Sequence, residues 1–222
     1  MRFSKSLVAI GCLVALAQSV HAADRAGQAR LVQADTEQEL GGSIGVLTTG
    51  DPVWQQARVV TARYGSAEVD MDDGSKLTIG PNSEIVIDEF VFDPDAADGR
   101  AGLRLATGML RVLSGRLPSE RLRIQTPVAL VGIRGTLFTL EATTPELLKL
   151  WVEDGAVTVE TRGTGENYVF EAPAYAECTA SVCVAGPPAI QPRAFPPAPP
   201  TRGPFGPTDG ASEGSDGGSN SD

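Results

Sequence analysis

Apolar and polar residues alternate with a period of two along most of the chain between residues 23 and 186. Val69-Asp70-Met71-Asp72, Leu77-Thr78-Ile79, Ile85-Val86-Ile87-Asp88, Leu103-Arg104-Leu105, Leu122-Arg123-Ile124 and Val157-Thr158-Val159 all follow it. Alternate side chains of an extended chain point to opposite faces, so this pattern predicts half-buried β-strands. No ten-residue stretch carries an apolar stripe of helical period, and Thr144-Pro145-Glu146-Leu147-Leu148 reads at most as a turn. Asp73-Gly74, Thr107-Gly108 and Asp154-Gly155 fall between apolar runs. They read as tight hairpin turns, because glycine accepts the positive φ such turns demand. Strand, short Gly-containing break and strand recur. The expected fold is all-β: Gly-punctuated hairpins forming a sandwich or a short solenoid-like domain.

The two ends read differently. Residues 1–22, MRFSKSLVAIGCLVALAQSVHA, combine basic Arg2 and Lys5, an apolar run from Leu7 to Ala17, and a small-x-small site at Val20-His21-Ala22. That is the grammar of a signal peptide cleaved after Ala22, and the run is too short to span a bilayer. Cys12, after Ala9-Ile10-Gly11, raises a lipoprotein alternative, but the best apolar residues follow it instead of preceding it. The segment 187–222 holds nine of the 16 prolines and closes on a Gly/Ser/Asp-rich stretch. Such composition buries too little apolar surface to offset ordering entropy, so a disordered C-terminal tail is expected. The domain plan is therefore signal peptide 1–22, all-β domain 23–186 and tail 187–222.

Composition narrows the function. The 222 residues include 28 acidic and 18 basic side chains, a net charge of −10. Loss of Arg2 and Lys5 with the signal peptide takes it to −12. That balance argues against nucleic acid, which needs clustered Lys and Arg. The only histidine, His21, leaves with the signal peptide, and with it go His-based triads and His-ligated metals. Cys178 and Cys183 remain, and an even pair in an exported chain reads as a disulfide. The location expected is periplasmic or secreted, with no membrane span after cleavage.

No catalytic, cofactor-binding or metal-ligating set stands out. Asp70, Asp72, Asp73 and Gly74 resemble the start of an EF-hand loop, but Pro81 stands at the twelfth position where a bidentate Glu belongs. Asp93, Asp95 and Asp98 lie in the polar segment Asp93–Gly102 and read as a soluble loop before a calcium clasp. No G-x-S-x-G, Walker or G-x-G-x-x-G motif is present. A carbohydrate-binding or carbohydrate-active alternative requires exposed Trp54 or Trp151 beside carboxylates. One segment is unusual: Thr126-Pro127-Val128-Ala129-Leu130-Val131-Gly132-Ile133-Arg134-Gly135-Thr136-Leu137-Phe138. It is an apolar strand with two glycines and one arginine. Strand glycines mark a bulge or a close backbone approach. An arginine among Val, Ile, Leu and Phe reads first as a buried tie to a carboxylate, with Glu153 and Asp154 as candidates, and second as a partner contact.

That segment, T-P-x-A-x-x-G-I-R-G-T-x-F, resembles the signature of the FecR domain. Gly50-Asp51-Pro52-Val53, Asp73-Gly74-Ser75-Lys76-Leu77, Gly80-Pro81-Asn82-Ser83, Gly108-x-x-Arg111 and Val152-x-x-Gly155-x-Val157 extend the likeness over roughly residues 45–160. The resemblance implies an all-β, non-enzymatic domain without cofactor, in which Thr126, Pro127, Gly132, Arg134, Gly135 and Thr136 are structural. The best-known members relay a signal from an outer-membrane receptor to a cytoplasmic sigma factor. This chain departs from that plan, with a cleavable signal in place of a cytosolic segment and membrane helix, and a low-complexity tail in place of a βαβ subdomain. The expectation is an interaction, scaffold or regulatory module whose partner is another envelope protein.

Overall fold

The computed structural model describes residues 24–187, apart from 34, 97 and 119. The expected signal peptide, the expected cleavage site at Ala22 and all but the first residue of the expected tail lie outside the described residues. Those that are described form fifteen strands and no helix, so the all-β expectation holds.

The strands are β1 (Arg25–Gln33), β2 (Thr36–Leu40), β3 (Ser43–Val46), β4 (Pro52–Trp54), β5 (Arg58–Thr61), β6 (Ser66–Met71), β7 (Lys76–Ile79) and β8 (Ser83–Asp93). There follow β9 (Asp98–Leu113), β10 (Leu122–Gln125), β11 (Ala129–Thr144), β12 (Leu147–Thr161), β13 (Asn167–Glu171), β14 (Ala174–Cys178) and β15 (Cys183–Ala185). Every alternating segment named above falls in one of them, save that Asp72 lies just past the end of β6. The polar segment 93–102 is mostly strand, with only the Pro94–Ala96 turn described between β8 and β9.

Three long strands organise the whole. The first part of β9 pairs with β8 and β10, its second part with β7 and β11. β11 pairs first with β10 and then with β9, and lies beside β12 throughout. β12 pairs with β14 near its start and with β13 near its end. One hydrogen-bonded sheet is thereby divided into two halves. The first runs β3-β2-β5-β8-β9-β10-β11-β12-β13, and the second runs β4-β1-β6-β7-β9-β11-β12-β14-β15. Only β9 and β10 run parallel, whereas a parallel β-helix stacks parallel strands throughout. The fold is a sheet doubled over on itself, nearer a sandwich than a solenoid.

The doubling is written in burial. In β9 the inward residues are Leu103 and Leu105, then Leu110 and Val112. In β11 they are Val131 and Ile133, then Phe138 and Leu140; in β12, Leu148 and Leu150, then Val157 and Val159. Each strand changes parity once, around Gly108, Gly135 and Gly155, whose φ angles are +91°, +61° and +74°. A positive-φ glycine inside a strand inserts an extra residue, bends the strand and moves its apolar set to the other parity. Both halves thus deliver side chains to one continuous core. Each fully buried Leu, Ile or Phe there is worth about 1.5–3 kcal/mol relative to exposure.

This corrects two of the three expected hairpins. Asp73-Gly74 does join β6 to β7. Thr107-Gly108 and Asp154-Gly155 are corners within β9 and β12, because pairing continues on both sides of each glycine.

Candidate functional site

The signature segment runs from the β10–β11 turn through the β11 corner. The Thr126 hydroxyl donates to the Ala129 carbonyl at 3.0 Å and accepts from the Ala129 amide at 3.0 Å, closing the turn that Pro127 enters. A side chain at Gly132 would begin 2.5 Å from Thr158 Oγ1, so the threonine occupies that space. A Cβ at residue 155 would stand 2.1 Å from the Gly135 carbonyl oxygen and 2.7 Å from Thr136 Cγ2. The buried Thr136 donates its amide to Ser114 Oγ at 2.8 Å. These residues build the turn and the corner.

Arg134 does not fit the expected buried tie. It is exposed, and among the described residues it makes no ion pair. Ile133 points inward, so its successor points outward, and Gly135 then changes the parity. The apolar neighbours are buried on the opposite side from the guanidinium. Glu153 is taken by Arg111 instead, at 2.6 Å, with side chains 19% and 30% exposed. Arg111 lies opposite Thr139 on β11, which lies opposite Trp151 on β12, so the pair spans an intervening strand. Asp154 is exposed at the corner.

The outer face of the first sheet half carries a polar trough. In register across it stand Gly102 on β9, Arg123 on β10, Gly132 on β11 and Thr158 on β12. Gly102 leaves the sheet bare on one side of Arg123, and on the other the Thr158 side chain leans over Gly132. One hollow of about 410 Å³ lies toward β8 and β9, bounded by Glu89, Arg100 and Arg121. A second, about 230 Å³, lies toward Glu160 and Asn167, and Glu120, Arg123 and Leu130 line both. The β8–β9 wall is charge-paired: Asp88 with Arg104, and Glu89 with Arg100 at 2.6 Å. Arg123 is exposed and has no carboxylate partner among the described residues. The trough therefore offers a guanidinium beside a side-chain-free strip at Gly102, room for an extended segment bearing a carboxylate. The spacing of Gly102, Arg123 and Gly132 was not legible as a site, because only the strand register brings them into line.

The acid clusters are spent locally. Asp72 accepts from Arg25 at 2.7 Å, and Asp70 lies 3.8 Å from Arg30 and 4.0 Å from Lys76. Buried Asp73 accepts from the Ser75 amide and hydroxyl at 3.0 and 2.6 Å, which caps the β6–β7 hairpin. Asp93 accepts from the amides of Asp95 and Ala96. Among the described residues no three His, Cys, Asp or Glu side chains converge on a metal position. Trp151 is 5% exposed and lies against Tyr175 with ring centroids 5.1 Å apart. Trp54 is half-buried on β4 and lines none of these hollows. Neither offers the exposed platform a sugar requires. Burial, then the Glu177 carboxylate, push the Tyr175 hydroxyl up to about 12, and a hydrogen bond to Glu166 raises Tyr168. Cys178 and Cys183 form the expected disulfide, joining β14 to β15 where the two residues lie directly opposite.

Residues 57–158 match the family described as FecR protein. The matched span runs from the threshold of β5 to within β12 and contains the signature, all three corners and the trough. Two crystal structures of a candidate anti-sigma factor from Parabacteroides distasonis ATCC 8503, at 2.50 and 1.65 Å resolution, are similar in fold. They share 15% and 13% identity with TM-scores of 0.48 and 0.45. Each likeness spans 58% of this chain and 58% of the other, so the chain covers little more than half the length of these neighbours. No curated protein matches the chain. Among the described residues no helix is long and apolar enough to cross a membrane.

Proposed function

We propose that the protein is a regulator of envelope signalling that works by binding and carries out no chemistry of its own. After cleavage at Ala22 it acts in the periplasm or outside the cell, with residues 23–186 as the working domain and 187–222 as a tail. The observation that carries this reading is the FecR match over residues 57–158. The trough supports a mode of action. A partner envelope protein lays an extended segment across the first sheet half, over Gly102, and sets a carboxylate against Arg123. Arg134, exposed at the corner, gives a second cationic contact. Fixed strands and a charge-paired wall hold the surface ready, which lowers the ordering cost of binding.

The test is a deletion strain carrying a reporter for an envelope-responsive sigma factor, complemented by wild type or by Arg123→Glu. Loss of the protein should change reporter output, and wild type should restore it. Arg123→Glu should accumulate as folded protein yet fail to restore it. Output indifferent to the deletion, for every such sigma factor of the host, would sink the regulatory reading. Full restoration by Arg123→Glu would remove the trough from it.

A further inference from the structure

We propose that β3 is a self-association edge, on which a second copy of this chain pairs antiparallel about a two-fold axis through Gly45. It lies outside the FecR match and does not rest on the trough. β3 is an outermost strand, hydrogen-bonded to β2 alone. All four of its residues are exposed, and Ile44 and Val46, on one face, are 63% and 73% exposed.

The backbone pattern fixes which groups are open. Gly41 and Gly42, with φ +58° and +82°, make a two-residue turn that closes on Leu40 and Ser43. Leu47 donates its amide to the Thr36 carbonyl at 2.9 Å. In an antiparallel ladder the bonded pairs alternate, so Ser43, Gly45 and Leu47 turn their backbone groups toward β2. Ile44 and Val46 turn theirs to the open edge. A two-fold axis at Gly45 sets Ile44 opposite Val46 of the second copy, and Val46 opposite its Ile44. This satisfies roughly four backbone hydrogen bonds and stacks two apolar cross-strand pairs on the exposed face. Gly45 meets its own counterpart, and no atom lies within 4 Å of where its side chain would begin.

Charge does not oppose a second copy here. Residues 40–50, LGGSIGVLTTG, carry no charge in a chain with 28 acidic and 18 basic side chains. Two copies therefore meet at β3 with no like charges opposed. The other outer strands are blunted in the ways sheet edges usually are. β4 begins with Pro52, β13 ends on Glu171, and β15 has three residues cross-linked to β14. β3 has no charge, no proline and no register break. The isologous pairing closes at two copies, whereas pairing β3 to β13 of the next copy would propagate without end. An edge of four residues buries little area, so the association is weak.

Sedimentation velocity on the full chain, exported by a host cell and purified, tests it over about two decades of concentration up to roughly 1 mM. A reversible monomer–dimer equilibrium is expected. Val46→Lys should weaken it at least tenfold, with an unchanged circular dichroism spectrum and melting temperature. Under oxidation Gly45→Cys should give a covalent dimer. Ser43→Cys, four residues out of register with itself, should not. A single monomeric species throughout would overturn the proposal. So would open-ended polymers, a dimer indifferent to Val46→Lys, or linkage through residue 43 in place of 45.

Discussion

The carbonyl oxygen of Gly135 lies 2.1 Å from where a side chain on residue 155 would begin. These glycines sit on adjacent strands at the point where β11 and β12 turn from one half of the sheet to the other. Their contact is possible only because residue 155 carries no Cβ; one at Gly135 would meet nothing within 4 Å. Gly155→Ala must push the strands apart and also hold a φ of +74°. The two costs together should destabilise the protein by roughly 2–4 kcal/mol. Denaturant unfolding checks this. A change under about 0.5 kcal/mol would mean the corner does not hold the strands that closely.

The two arginines of the signature region should behave oppositely. Arg111→Ala leaves Glu153 largely buried without its partner and should cost about 1–3 kcal/mol. Arg134→Ala removes an exposed side chain and should stay within about 0.5 kcal/mol of wild type. Equal melting temperatures for wild type and Arg111→Ala would contradict the first, and a large drop for Arg134→Ala would contradict the second.

Gly102 separates binding from folding. Its φ lies outside the left-handed region, and a Cβ there would meet nothing closer than 3.9 Å. Gly102→Val should therefore change stability by no more than about 0.5 kcal/mol. It fills one strip of the trough, so it should abolish complementation in the sigma-factor reporter strain. Full complementation by a stable Gly102→Val protein would show that the strip is not used.

Tyr175 makes a prediction about alkaline pH. Its folded-state pKa of about 12 lies above the ordinary value of 10.0. A group raised in this way contributes its full stabilisation below pH 10.0, and loses it as pH rises through about 12. Tyrosinate absorbance should show a late-titrating component that Tyr175→Phe removes. The stability lost between those two pH values should shrink in the same variant. A titration unchanged by Tyr175→Phe would contradict the assignment.

The strands were legible because period-two alternation depends only on neighbouring residues. The corners were misread because a positive-φ glycine serves a hairpin and a strand corner alike. The sequence does hold a clue that separates them. Around Asp73-Gly74 a polar gap, DDGSK, interrupts the apolar pattern, as a solvent-facing turn must. Around Thr107-Gly108 only Ala106, Thr107, Gly108 and Met109 lie between Leu105 and Leu110, where the apolar pattern resumes on the other parity. Arg134 was misplaced for a related reason: Ile133 at i−1 is buried on the opposite face, and Gly135 changes the parity before Phe138 at i+4 enters the core. The trough was invisible because Gly102, Arg123 and Gly132 meet only through the register of β9, β10 and β11. That register depends on the parallel β9–β10 pairing, which no local pattern announces.

The central claim is that the outer face of the first sheet half receives a partner. A photoreactive residue at position 130, which lines both hollows and leaves Arg123 in place, tests it most directly when incorporated in living cells. The matched control stands at Thr78, on the outer face of the second half. The account predicts one envelope protein cross-linked from position 130 and not from position 78, with the cross-link lost in Gly102→Val. Equal capture from both positions, or capture from position 78 alone, would contradict it.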